Sequence, residues 1–223
     1  MKMKSLLPMF ALVVTFGSTG CAFETGHLHP PSGPVSTTSA EGQLREVLIL
    51  GPFADERPTQ SCGQKKNGWG MDTAPITCST PPGEWVADAL AKGFAANGYI
   101  VLPPGTPPRE NTYVVRGAVT TFFLSPDTTV HMTTNEMNVA TRVEVTVPDG
   151  ARSERDFRVT GKSLMTLEDN NGFDKAAQSA TTQIVNETVD SVSGLLNHPD
   201  AAPGWHAPPN VPVMSPPRSA TSI

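Results

Sequence analysis

The side chains able to do chemistry in this 223-residue chain fall into four groups. Cys21 follows Ser18-Thr19-Gly20, and Cys62 and Cys78 stand 16 residues apart. His27 and His29 form a His-x-His pair, and Asp55 and Arg57 lie two apart just after an apolar run. A cysteine thiolate is a nucleophile or a metal ligand, and two thiols in an oxidising compartment become a disulfide. Two cysteines are too few ligands for a structural zinc site, so Cys62 and Cys78 are expected to pair as a disulfide. His27 and His29 lack a nearby third ligand, so no metal and no cofactor is expected. Gly-x-Ser-x-Gly, P-loop and His-Glu-x-x-His patterns are absent from the sequence. The five histidines are scattered, none beside a candidate nucleophile. The expectation is a protein without a catalytic centre. Asp55 and Arg57 are expected to hold the turn after the first long apolar run.

The segment before Cys21 explains why that thiol matters. Lys2 and Lys4 give a positive start, and Leu6 to Phe16 is apolar apart from Pro8 and Thr15. That run is too short to cross a bilayer as a helix, which needs roughly 20 apolar residues. Positive start, short apolar stretch and small residues are the pattern of a secretory leader over residues 1–20. Ser18-Thr19-Gly20-Cys21 resembles the lipobox of bacterial lipoproteins, with Ser18 standing where that pattern usually has an aliphatic residue. The resemblance implies that Cys21 becomes the lipidated first residue, with acyl chains as a membrane anchor. Each buried methylene of such a chain adds about 0.8 kcal/mol, and several chains together attach stably. Ala22, in place of an aspartate, implies the outer membrane, facing the periplasm. The alternative is a secreted protein cleaved nearby, with Cys21 a free thiol.

Removal of residues 1–20 leaves 14 basic against 21 acidic residues, a net charge near −7. Such a surface repels nucleic acid and anionic headgroups, so nucleic acid is excluded as a partner. Residues 21–43 are rich in Gly, Pro, Ser and Thr and read as a flexible tether. Residues 198–223 include seven prolines from Pro199 onward and read as a disordered tail.

Between them, residues 44–197 carry the periodic patterns. Val47–Leu50 is a continuous apolar strand, and Thr59 to Thr80 reads as a Gly-rich loop with Lys65-Lys66 at a solvated turn. A helix is expected from Pro81 to Asn97, capped by Thr80 and ended by Gly98, with Val86, Leu90 and Phe94 on one stripe. Tyr99–Leu102 is a short strand, so a parallel crossover is expected. Strands then follow at Tyr113–Leu124, Met137–Val147 and Phe157–Thr166, the second with strict apolar alternation, forming an antiparallel meander. Ser125 to Thr134 reads as an exposed loop. A second amphipathic helix spans Phe173–Asn197, capped by Asn171. The expected fold is α+β: a two-layer sandwich of a mixed, mostly antiparallel sheet of four to five strands, with two helices on one face.

Order and detail resemble the YajG family of bacterial lipoproteins over residues 46–197. The shared segments are Val86–Val101 with Ala96-Asn97-Gly98-Tyr99, the strands Tyr113–Phe123 and Asn138–Val147, Val159-Thr160-Gly161, and Lys175–Leu196. Asp55-Glu56-Arg57-Pro58 looks like the Asp-x-Arg-Pro turn of that family. The Cys62–Cys78 loop and the proline-rich tail depart from it. The resemblance implies an envelope lipoprotein without defining its molecular role; with no catalytic constellation in the sequence, the expectation is a tethered, non-catalytic module that docks an envelope protein. The architecture is also similar to auxiliary lipoproteins of lipid and lipopolysaccharide transport, which would give the space between sheet and helices a lipid ligand.

Overall fold

The computed structural model describes residues 24–31, 45–67, 69–128, 132–165, 172–197 and 204–208. In chain order they form β1 (Gly26–Leu28), β2 (Glu46–Ile49), β3 (Ala54–Asp55), β4 (Gly63–Lys66), β5 (Asp72–Cys78), α1 (Pro82–Ala96), β6 (Ile100–Leu102), β7 (Thr112–Thr128), β8 (Thr133–Thr146), β9 (Arg152–Met165) and α2 (Gly172–Asn197). Cys21 and its leader, His131, Asn171, His198 and most of the tail lie outside the described residues.

One mixed nine-stranded sheet is backed by two helices, so the class is α+β as expected, with about twice the strands. β7 is its spine. One edge of β7 is paired with antiparallel β8 from Val114↔Thr146 to Thr128↔Thr133. The other edge is shared in succession by β2, β3 and β4, all parallel to it. β6 lies outside β2, β5 outside β4, and β1 outside β5. β9 extends the sheet beyond β8 with fourteen register pairs, from Thr133↔Met165 to Thr146↔Arg152. The β2–α1–β6 unit is parallel, as the strand–helix–strand order requires.

Apolar periodicity explains most of the core. In β8 the alternating Met137, Val139, Thr141, Val143 and Val145 are all buried. β7 lacks clean alternation because its register shifts between Val119 and Thr121, leaving Thr120 as an extra residue. One inserted residue changes the side-chain phase. Val115 and Val119 before it and Phe122 and Leu124 after it therefore all reach the core. α1 buries the expected Val86, Leu90 and Phe94, together with Trp85. Trp85 packs edge-on to Phe122 and donates to Thr181 Oγ1 on α2 at 3.1 Å. Each such fully buried large side chain contributes roughly 1.5–3 kcal/mol.

Five sequence expectations need correction. The tether contains β1, whose Leu28 is fully buried and whose backbone pairs in parallel with Ile76–Cys78. A three-residue strand with one large apolar side chain has no period to detect. The loop from Thr59 to Thr80 holds β4 and β5, so Lys65 and Lys66 lie in a strand rather than at a turn. The exposed loop after Leu124 is shorter than expected, because β7 runs on to Thr128. The cap position of α1 is Pro81, with no side-chain bond, and Pro82 opens the helix, where its fixed φ suits the first turn. Part of the tail is also packed. His206 exchanges both backbone hydrogen bonds with Glu154 on the outer edge of β9, at 2.7 and 3.0 Å. Trp205 lies edge-on to Phe157 and donates to Ser191 Oγ at 3.1 Å.

Cys62 and Cys78 are joined, with Cα atoms 5.8 Å apart, and lock β4 to β5. The closed loop spans 16 residues, for which chain-entropy reasoning gives about 3 kcal/mol. Cys62→Ala/Cys78→Ala is therefore expected to lose about 3 kcal/mol. The check is a lower urea midpoint with a somewhat steeper slope, because the unbridged denatured chain exposes more surface.

Candidate functional site

The chain leaving β2 turns at Gly51, whose φ of 59° favours glycine, and buries Phe53 against the start of α1. Phe53 N donates to Gly83 O at 3.1 Å. This fixes β3 beside β7 and sets Asp55 and Arg57 on either side of a tight turn. Arg57 Nε and Nη2 donate to Asp55 Oδ1 and Oδ2 at 2.8 and 2.9 Å, a two-point clamp. Arg57 Nη1 donates to Ser61 O at 3.1 Å and to Phe122 O at 3.4 Å. The guanidinium is only 3% exposed and ties the Asp55 turn, the segment before Cys62 and the middle of β7 together. Cys62 Sγ itself lies 3.7 Å from Arg57 Nη1.

The side-chain hydrogen bond from Arg57 holds the Asp55 carboxyl below its ordinary value of 3.8, against the opposing effect of burial. A depressed folded value stabilises the fold fully above the unfolded carboxylate value. That contribution fades as pH falls through the folded value. Wild type and Asp55→Asn should therefore differ most in urea midpoint at neutral pH, and the gap should narrow below about pH 4. A gap that stays constant down to pH 2 would contradict this.

Beside the clamp, on the sheet face turned away from the helices, lies a pocket of about 420 Å³. Arg57, Pro58 and Thr59 form one wall, and the bulge residues Thr120 and Thr121 form the floor with Phe123. Asn138 and Arg158 complete it. Asn138 Oδ1 accepts from Thr160 Oγ1 at 2.8 Å, which leaves the amide Nδ2 free to donate. Among the described residues, no acidic side chain lines this pocket. Elsewhere on the same face cations are paired: Arg116 with Glu144, Lys162 with Glu136, and Arg142 with Glu56, Glu154 and Asp156. The pocket thus offers the Asn138 N–H donors and the Arg158 guanidinium beside the Asp55-clamped Arg57, next to the ring of Phe123, in an otherwise acidic domain. This arrangement can bind; it does not bring together a nucleophile and a base.

Of the residues singled out by sequence, the structure joins Cys62 to Cys78 and Asp55 to Arg57, and places the two pairs in contact. It does not assemble His27 and His29 into a metal site. His27 Nδ1 pairs with Thr77 Oγ1 at 2.9 Å, and His29 lies by Asp174. Among the described residues no group of three or more His, Cys, Asp or Glu is placed to hold a metal. Sequence reasoning missed Arg158 and Asn138 as pocket residues, because each reads as one more polar position on a half-exposed strand. The doubled Thr120-Thr121, which breaks the alternation of β7, was the available signal.

No family model matches the chain, and no curated protein matches it. Among solved structures, the chain is similar to protein XCC0632 from Xanthomonas campestris, described under the family-model DUF330. The identity is 14% and the TM-score 0.55, over 78% of this chain and 98% of that one. More distant similarities include a minor lipoprotein from Acinetobacter baumannii, at 8% identity and TM-score 0.32, covering 69% of this chain and 92% of that one. Lipoprotein GNA1162 from Neisseria meningitidis matches at 13% identity and TM-score 0.30, covering 69% and 98%. These two are too distant in shape to bear on the role of this chain. What the similarity to the Xanthomonas protein establishes is a shared fold.

Proposed function

We propose that this protein is a membrane-anchored envelope lipoprotein of the YajG type, held through acylated Cys21 at the outer membrane and facing the periplasm. It acts as a non-catalytic interaction module. The observation that carries the reading is the helix-free sheet face. That face has a shaped pocket at the Arg57 clamp, and Arg158 there makes no ion pair with an acidic side chain among the described residues. The leader-like residues 1–20 and the lipobox-like segment at Cys21 support export and anchoring. No helix among the described residues is long and apolar enough to cross a membrane.

The packing weighs against the alternative of direct lipid carriage by the sheet–helix interior. Phe94, Phe122, Ile184 and Val185 fill that space, and Gly161 brings β9 into backbone contact with α2. Crosslinking in intact cells with wild type and with Arg158→Glu tests the reading. One envelope protein enriched by wild type and lost with the variant is the expected result. Recovery of the same abundant porins with both would contradict it.

A further inference from the structure

The direction of the strands places four separate segments at one end of the sheet. β4 runs parallel to β7, so the β4–β5 tip at Asn67–Met71 points the same way as Thr128 at the end of β7. β8 starts there, next to Met132, and β9 ends there, with Leu164 paired to Thr134. β1 runs parallel to β5 with Gly26 level with Ile76, so the chain enters β1 from this same end.

Large exposed apolar side chains gather at this end. Trp69 is 88% exposed, Met71 59%, Met132 52% and Leu164 61%. The other two such side chains among the described residues, Leu50 and Ile100, sit beside the first residues of β7, toward the opposite end. The tip that carries Trp69 is a built turn. Asn67 Oδ1 accepts from Trp69 N and Met71 N, both at 3.0 Å, and Asn67 N donates to Met71 O at 2.9 Å. The turn therefore holds the indole outward. From β5 to β9 this end crosses five adjacent strands, about 19 Å at the usual strand spacing.

Cys21 is five residues before Gly26, and an extended run of that length spans at most roughly 18 Å. Met71 is likewise five residues before Ile76, the partner of Gly26. Five residues of chain therefore keep Cys21 within roughly 18 Å of Gly26, where β1 is entered from the end of the sheet that carries the Trp69 tip. Lys65 and Lys66, which make no ion pair among the described residues, lie on the strand leading to the tip, and Lys65 Cε stands 2.9 Å from where a side chain at Gly26 would begin, so its stem crosses β5 toward β1.

We propose that this end of the sheet is a second membrane contact. Trp69 and Met71, with Met132 and Leu164, lie in the interfacial layer of the bilayer that receives the acyl chains of Cys21. Lys66, the last residue of β4 before the tip, extends toward lipid phosphates. Tryptophan favours that layer because its ring is apolar and its N–H remains wet, and lysine stems can cover apolar surface while the ammonium stays hydrated. The strands then point at the bilayer, and the Arg57–Arg158 pocket faces sideways, clear of lipid. The proposal rests on the anchored reading of Cys21.

The test uses the full chain purified from membranes and placed in phosphatidylcholine–phosphatidylglycerol vesicles, with or without brominated acyl chains. An intact mass is taken on the same sample. With Cys21 acylated, brominated lipid should quench part of the tryptophan emission. Trp69→Phe should remove that quenchable part and leave the unquenched emission of Trp85 and Trp205. Acylated protein whose emission is unaffected by brominated lipid, or equally quenched in Trp69→Phe, overturns the contact and leaves the anchor standing. An unmodified Cys21 overturns both.

Discussion

Gly161→Ala is expected to destabilise the domain by about 3 kcal/mol, and Gly161→Val to prevent folding. A Cβ at position 161 would stand 2.3 Å from Ala180 N and 2.4 Å from Ala176 O. Both atoms belong to the backbone of α2, so no rotamer change relieves the contact, and the helix must move off β9. α2 also carries Ile184, Val185, Val189 and Val192 into the core, so that movement would open the packing along its length. A control of opposite sign lies in the same helix. Nothing is within 4 Å of a Cβ added at Gly194. Gly194→Ala should therefore stabilise by up to about 1 kcal/mol, the helix-propensity gain. Urea titrations followed by far-ultraviolet circular dichroism would read both. A Gly161→Ala midpoint equal to wild type would show that α2 does not sit on β9 as described.

Asp55→Ala should cost about 3 kcal/mol, because it leaves the buried Arg57 guanidinium without its carboxylate. The second change decides the cause. If the loss comes from an uncompensated charge, Asp55→Ala/Arg57→Met should recover part of it, since the charge then goes too. If the double variant is as destabilised as the sum of the two singles, the clamp is not a coupled pair. The variant should also loosen the wall of the pocket, because the same guanidinium ties Ser61 and Phe122 in place.

The second half of the domain was legible because its elements are long. Met137 to Val145 alternate over a strand whose faces have different surroundings, and the stripe from Ala177 to Leu196 repeats often enough to define a helix face. Short elements held by neighbours were not legible. β4 is Gly-Gln-Lys-Lys, with no apolar side chain, and is a strand because β5, β7 and the Cys62–Cys78 bond hold it. β5 contains Pro75, which argues against a central strand. It is tolerated because β1 pairs only from Ile76 onward, leaving Pro75 on an open edge. β1 depends on that edge in turn. Missing these three strands and the two-residue β3 turned a nine-stranded sheet into four or five, and made a docked segment read as free tether. The Asp55–Arg57 turn was visible as a local motif. The pocket was not, since Arg57, Thr121, Asn138 and Arg158 meet only once β3, β7, β8 and β9 are side by side.

The claim on which the functional account depends is that the mature chain begins at a lipid-modified Cys21, five residues before the sheet starts. Intact and peptide mass spectrometry of the protein extracted from membrane fractions measures this directly. The account predicts a first residue of Cys21 bearing the mass of a glyceryl lipid, on a chain whose Cys62 and Cys78 remain oxidised. A mature chain beginning elsewhere, or one with an unmodified Cys21 that washes off membranes, would contradict it.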